Sequence, residues 1–391
     1  MTTPARSGPD AATLLAELIK CRSVTPDEGG ALTLLEELLK GAGFALKRLT
    51  FSAPETPDVE NLFATIGSGS PHLVFNGHVD VVPPGDEARW THPPFGAEVV
   101  NGIMYGRGAV DMKGGVACFV AAVLGYLATH GLPKGTLSLM FTSDEEGPAI
   151  NGSAKLVDWA VKQGHRFDAG LVGEPASVKT LGDTIKTGRR GSLSFMLKVS
   201  GKQGHVAFPH QADNPITTLV RLLNRLIEIR FDDANENFLA SNLEITSVDV
   251  GNPVVNIIPA AAAARFNIRF NDNWSMKTME ATVRKALDEI GRPYDLAIAG
   301  LAAEPFLSRS PMILEPLIAA IKDATGITPE FSTGGGTSDA RFLKDHCPVV
   351  EFGLVGDTLH QVDERVPVVD LERLTVIYRH FLEGFFANAR P

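Results

Sequence analysis

Hydrophobic positions recur at helical spacing near the start of the chain. Leu14, Leu15, Leu18 and Ile19 follow Asp10, a residue type suited to capping a first turn. Thr25-Pro26 opens a second predicted helix, which runs through Leu35, Leu38 and Leu39 to a Gly41/Gly43 stop. Two continuous apolar runs, Leu73-Val74-Phe75 and Leu137-Ser138-Leu139-Met140-Phe141, read as buried strands, and a helix rich in Ala, Val and Leu from Met112 to Thr129 lies between them. Ala169-Gly170-Leu171-Val172 is a further short strand. Unbroken apolar strands alternating with helices predict an α/β domain with a mostly parallel central sheet.

Near residue 188 the period changes. Leu193, Phe195, Leu197 and Val199 alternate with polar or flexible neighbours, and so do Phe266, Ile268 and Phe270. That is the pattern of half-exposed strands. Helical spacing at about 215–230 and 274–290 completes a smaller α+β domain. The first style returns with a helix over 311–325, the strand Val349-Val350-Glu351-Phe352 and a last helix near 370–388. The expected architecture is a larger α/β domain made of residues 1–187 and 302–391, with an α+β domain, 188–301, inserted into it.

Length agrees, because 391 residues exceed the roughly 100–200 of a single domain. The 38 glycines and 25 prolines are scattered without repeat or low-complexity tract, which argues against a solenoid or a disordered chain. With 46 acidic against 36 basic residues the net charge is −10, a sign that repels phosphate backbones and disfavours nucleic acid as a partner. No apolar run is expected to reach the roughly 18 residues of a membrane span, and the first ten residues lack the apolar stretch of a secretory leader. Three cysteines (Cys21, Cys118, Cys347) without a CxxC pair fit a reducing, cytoplasmic setting.

Charged residues at the ends of buried strands carry the candidate chemistry, because such ends open into ligand crevices in α/β sheets. They are His78 and Asp80 in Asn76-Gly77-His78-Val79-Asp80; Asp111 in Gly106-Arg107-Gly108-Ala109-Val110-Asp111-Met112-Lys113-Gly114-Gly115; Glu145 and Glu146 in Ser143-Asp144-Glu145-Glu146-Gly147; Glu174 in Gly173-Glu174-Pro175; and His360 in Asp357-Thr358-Leu359-His360. Taken singly, each is an ordinary turn former or solvated group. Taken together, they would crowd carboxylates into one crevice, which is unfavourable unless cations compensate them. Imidazole with carboxylate and no thiolate suits zinc or a similar divalent ion, and a pair of ions needs a bridging carboxylate.

These motifs, in this order and spread over nearly the whole chain, resemble the di-zinc aminoacylase/carboxypeptidase family of amidohydrolases. The resemblance implies a zinc-peptidase-like catalytic domain and an inserted lid and dimerisation domain. It also implies two Zn²⁺ per subunit, for which Co²⁺ can substitute: His78 and Glu174 on one, Glu146 and His360 on the other, and Asp111 bridging. Asp80 would orient His78. Glu145 would be the general base that takes a proton from the attacking water and delivers it to the leaving amine. His205, in Gly201-Lys202-Gln203-Gly204-His205-Val206-Ala207, would cross to the neighbouring active site of a homodimer and stabilise the oxyanion.

Three further stretches suit anionic substrates: Gly188-Arg189-Arg190-Gly191-Ser192, Asn267-Ile268-Arg269, and the glycine-rich turn within 332–339, whose backbone N–H groups could form an anion nest. Three anion receptors point to a small-molecule substrate with several carboxylates. The same stretches resemble the desuccinylase branch of the family, which implies substrate contacts by Arg189, Ser192, Asn256, Arg269, Gly336 and Thr337. A deacetylase of the acetylornithine type is the alternative. A binding protein that kept the fold is disfavoured, because no ligand or base position is lost.

Overall fold

A computed structural model describes residues 9–300 and 302–387. Residues 1–8, on which the expectation of no leader rests in part, and residue 388 of the expected last helix lie outside the described residues. The chain forms two compact units. The larger runs to Gly188 and is rejoined by Ser308–Ser332 and by the chain from Ser338 onward; the smaller comprises Arg189–Leu307 and Thr333–Thr337.

The larger unit is built on an eight-stranded sheet in the order Ala45–Phe51, Val59–Gly67, Thr136–Thr142, His72–His78, Ala169–Val172, Val349–Glu351, Thr184–Lys186, Glu330–Ser332. Strands from Thr136–Thr142 to Val349–Glu351 pair in parallel, as do the last two, while the Ala45–Gly67 edge is antiparallel. The fold is therefore α/β with a mixed, mostly parallel sheet. Every residue of His72–His78 and of Thr136–Thr142 is buried, which is why both read as unbroken apolar runs. One core joins this sheet to helices Ala11–Lys20, Lys113–His130, Pro311–Thr325 and Val368–Ala387. Phe75 stacks on Phe119 at 3.9 Å, and the buried Tyr378 hydroxyl donates to Phe352 O at 2.6 Å.

Two expectations change. The second helix is Ala31–Gly41 and does not start at Thr25-Pro26. Residues 23–25 instead run extended beside Val81 (Thr25 N to Val81 O, 3.0 Å; Val81 N to Ser23 O, 2.9 Å), and the Glu28 carboxylate accepts Leu32 N at 2.7 Å in the first turn. Helix Lys113–His130 does have the length, 18 residues, and the mean hydropathy, 1.2, of a membrane span, contrary to the expectation that no run would reach it. Of that helix 61% is buried inside the protein, so its all-round apolar character is that of a core helix.

The smaller unit carries an antiparallel sheet ordered Asn242–Asp249, Ala261–Phe270, Gly191–Ser200, Asp295–Ile298. Leu193, Phe195, Leu197, Phe266 and Ile268 bury one set of alternating positions against Leu219, Leu222 and Leu226 of helix Pro215–Ile227 and Met279, Val283 and Leu287 of helix Met276–Asp288.

Candidate metal centre

Four adjacent parallel strands end within two residues of one another. His78 pairs with Thr142, Asn76 with Val172, and Val172 with Glu351. The loops that follow, bearing His78–Asp80, Asp144–Glu146 and Glu174, therefore leave the sheet at one edge. Asp111 joins them from the turn before helix Lys113–His130. Glycine lets that helix come close: a Cβ on Gly115 would lie 2.2 Å from Gly173 O, and one on Gly114 would lie 2.3 Å from Ala109 O.

The imidazole of His78 is 1% exposed; its Nε2 lies 3.1 Å from Asp111 Oδ1 and 3.7 Å from Glu174 Oε1. His360, with its side chain 50% exposed, places Nε2 at 3.2 Å from Asp111 Oδ2 and 3.0 Å from Glu146 Oε1. Asp111 thus turns one oxygen to each histidine, the arrangement a bridging carboxylate needs. Ligand atoms of His78, Asp111 and Glu146 lie within 4.8 Å of one another, as do those of His78, Glu145 and Glu174. Glu145 therefore stands among the donors rather than apart from them.

Asp80 acts more widely than the sequence suggested. His78 Nδ1 is 2.9 Å from the backbone O of Asp80 and 3.6 Å from its Oδ1. The carboxylate also receives the backbone N–H groups of Glu145 (3.3 Å) and Glu146 (3.1 Å), so it fixes the loop that carries both glutamates. Asp144 is structural: it accepts the amides of Ala149, Ile150 and Asn151 at 2.9–3.0 Å. Asp339, which the sequence offered only as the end of a glycine-rich turn, is buried here and accepts from Ser153 Oγ, which in turn accepts from Asn76 Nδ2. No spacing in the sequence marks that role.

The electrostatics are those of surplus negative charge. Burial, with Asp111 and Glu145 nearby, pushes the Glu174 carboxyl well above its usual range. Burial likewise raises Glu145 to about 8, helped by Asp339 and Glu146, and Asp80 to about 6. Burial alone would lower His78, yet the hydrogen bond with Asp111 and the charges of Glu174, Asp111 and Asp80 hold it well above the usual imidazole value. Hydrogen bonds with Asp111 and Glu146 raise His360 to about 10. Burial would raise Asp111 too, but its two histidine partners outweigh it and keep it ionised. The upward shifts of Glu174, Glu145, Asp80, His78 and His360 say that the cluster attracts positive charge, whether protons or cations. A donor set of imidazole and carboxylate without thiolate fits a hard or borderline divalent ion.

The other candidates lie in the smaller unit, in three pairings. Arg189 Nη1 donates to Gly334 O at 3.1 Å, which ties it to the turn that carries Gly336 and Thr337. Ser192 lies opposite Arg269 in the sheet, and its hydroxyl accepts from Asn267 Nδ2 at 3.1 Å. His205 sits on a two-residue ladder with Ile257, next to Asn256, whose carbonyl accepts Val206 N at 3.1 Å. Arg190 is committed elsewhere, to Ala240 O and Asn242 Oδ1.

A sequence profile of peptidase family M20/M25/M40 matches residues 74–384. The chain belongs to that family. It is a hydrolase of the M20 group of metal-dependent peptidases and amidohydrolases. Solved M20 structures share the fold. A metallo-carboxypeptidase of Sulfolobus solfataricus aligns with a TM-score of 0.81 at 18% identity, over 97% of this chain and 100% of that one. The dipeptidase Dug1p of Saccharomyces cerevisiae gives 0.74 at 18% identity, over 97% and 96%. A dinuclear metal-binding peptidase of Bacillus subtilis gives 0.71 at 16% identity, over 96% and 97%.

Proposed function

We propose that this M20 hydrolase removes the succinyl group from N-succinyl-LL-2,6-diaminopimelate, releasing succinate and LL-2,6-diaminopimelate for lysine and peptidoglycan precursor synthesis. The observation that carries the hydrolytic part is the Asp111 carboxylate, set with one oxygen toward His78 and the other toward His360. His78 and Glu174 would hold one Zn²⁺, Glu146 and His360 the other, and Asp111 both; Co²⁺ would serve in place of Zn²⁺. When bound, such ions lower the pKa of water from about 15.7 to about 7 and polarise a carbonyl.

The chain's own groups supply the remaining steps. Glu145, placed by the Asp80-anchored loop, accepts the proton of the attacking water and returns it to the departing amine. The family resemblance assigns His205 of the partner subunit to the oxyanion, and its local hydrogen bonding supports that role. Its Nδ1 accepts Ala207 N at 3.1 Å, so in the neutral ring the proton sits on Nε2, where it is available to donate. A homodimer through the inserted unit follows from this reading.

Substrate choice rests on the cationic and N–H-rich groups of the smaller unit: Arg189 tied to the Gly334–Thr337 turn, and Arg269 opposite Ser192, with Asn256 beside His205. A substrate with three carboxylates would use several of them, whereas N-acetylornithine has one carboxylate to offer. The decisive test compares turnover of these two compounds. Preference for N-acetylornithine, or for another N-acylamino acid, would reassign the substrate while leaving the hydrolase in place.

A further inference from the structure

Glu364 and Arg107 form a buried ion pair behind the metal centre, and neither enters the chemistry above. Glu364 is 0% exposed and Arg107 2%. Both oxygens of Glu364 are occupied. Oε1 accepts the backbone N–H of Val110 (2.9 Å) and of Asp111 (3.1 Å), and Oε2 accepts Gly108 N (3.1 Å) and Arg107 Nη1 (2.7 Å). Arg107 also reaches the loop that precedes Glu364, with Nη1 3.2 Å from Gln361 O and Nη2 3.4 Å from His360 O, while its guanidinium lies 5.1 Å from the centre of the Trp90 ring. The backbone closes the same junction, Gly106 N donating to Glu364 O at 2.9 Å.

The segment carrying Asp111 and the segment carrying His360 are distant in sequence and meet at two places. On one side Asp111 Oδ2 faces His360 Nε2; on the other, Glu364 and Arg107 lock the two backbones together. A buried charge pair is unfavourable unless its remaining hydrogen-bonding capacity is used, and here four N–H groups converge on one carboxylate. We infer that Glu364, with Arg107, is the positioning pair of the metal centre: it fixes the Asp111 backbone relative to His360, and so the spacing of the two metal positions that Asp111 serves. This rests on the metal-centre reading above and extends it to groups that touch neither metal nor substrate. Outer groups of this kind typically account for about 10–100-fold in metal affinity or activity.

The test is zinc affinity, measured by competition with a chromophoric chelator, in the wild type, Glu364→Gln, Arg107→Lys and the core control Tyr378→Phe. Glu364→Gln keeps the shape but turns an NH₂ toward backbone N–H donors. Arg107→Lys keeps the charge but loses the fork that spans Glu364 and the 360–361 carbonyls. The expected result is a 10–100-fold loss of affinity in both site variants. It should be accompanied by a fall in kcat at saturating zinc with little change in KM. Tyr378→Phe, which removes the buried hydrogen bond to Phe352 O and leaves the five proposed donors in place, should lower Tm without changing zinc affinity. Wild-type zinc affinity in folded Glu364→Gln or Arg107→Lys would overturn the proposal, as would an equal affinity loss in Tyr378→Phe. A wild type that binds no metal would instead refute the metal-centre reading itself. If Glu364→Gln does not fold, Arg107→Lys decides alone.

Discussion

Replacing Glu145 with Gln separates catalysis from metal binding and from stability. The variant keeps the backbone N–H bonds of residues 145 and 146 to Asp80, and it keeps all five proposed donors, so two metal equivalents should remain bound. It removes the group that shuttles the proton, and general acid–base transfer is worth about 10²–10⁴ in rate, or about 3–5 kcal/mol of barrier. The same residue burdens the fold. Burial raises its carboxyl from 4.5 to about 8. Between those pH values the folded, metal-stripped protein binds more protons than the unfolded chain, so Glu145 makes stability fall as pH rises through that window. At about 1.4 kcal/mol per pH unit the ceiling is about 5 kcal/mol, and relaxation around Glu146 and Asp339 brings the expected effect to about 2–4 kcal/mol. Gln does not titrate and should abolish this fall. Urea unfolding of metal-stripped wild type and variant at pH 5 and pH 8, with kcat measured on the zinc-loaded proteins, reads both effects. The variant should gain on the wild type by about 2–4 kcal/mol between the two pH values and lose at least about a hundredfold in kcat. A constant stability difference would refute the burial argument, and more than a tenth of wild-type kcat would refute the base assignment.

Zinc binding should release protons, because His360, raised to about 10, is protonated at neutral pH and must give up its proton to become a ligand. Affinity should therefore rise with pH, by about tenfold per unit for each proton released, and calorimetric binding enthalpies should differ between buffers of different ionisation enthalpy; buffer-independent enthalpies would remove His360 from the ligand set. His205→Ala should retain its zinc and lose about 10²–10³ in kcat, whereas an unchanged kcat would rule out an oxyanion role. Arg269→Ala should raise KM for the succinylated tricarboxylate far more than for N-acetylornithine; equal effects would make Arg269 a structural residue of the sheet.

Some of this was legible in the sequence for definite physical reasons. The strands that end in His78 and before Asp144 are buried on both faces, so they stood out as unbroken apolar runs and directed attention to their last residues. The smaller unit announced itself by alternation, because one face of its sheet packs on two helices. Other features were hidden by non-local bonding. The start of the second helix was misplaced because Val81 holds residues 23–25 extended. Strand Asn242–Asp249 gave little signal, since none of its residues is fully buried. Asp80 was expected to orient His78, but nothing local shows that its carboxylate also gathers the Glu145 and Glu146 amides from a loop far along the chain. Glu364 looked like any other acidic residue, and its role appears only when four N–H groups from the Arg107–Asp111 segment are found on it.

The central claim is that this M20 fold hydrolyses a succinylated amide with several carboxylates. It is tested most directly by amine release from N-succinyl-LL-2,6-diaminopimelate by the zinc-loaded protein, with N-acetylornithine alongside at equal concentration. Strong preference for the succinylated compound, abolished by chelation and restored by Zn²⁺ or Co²⁺, is the predicted result. Preference for N-acetylornithine, or turnover of neither compound by protein shown to hold its metal, would contradict it.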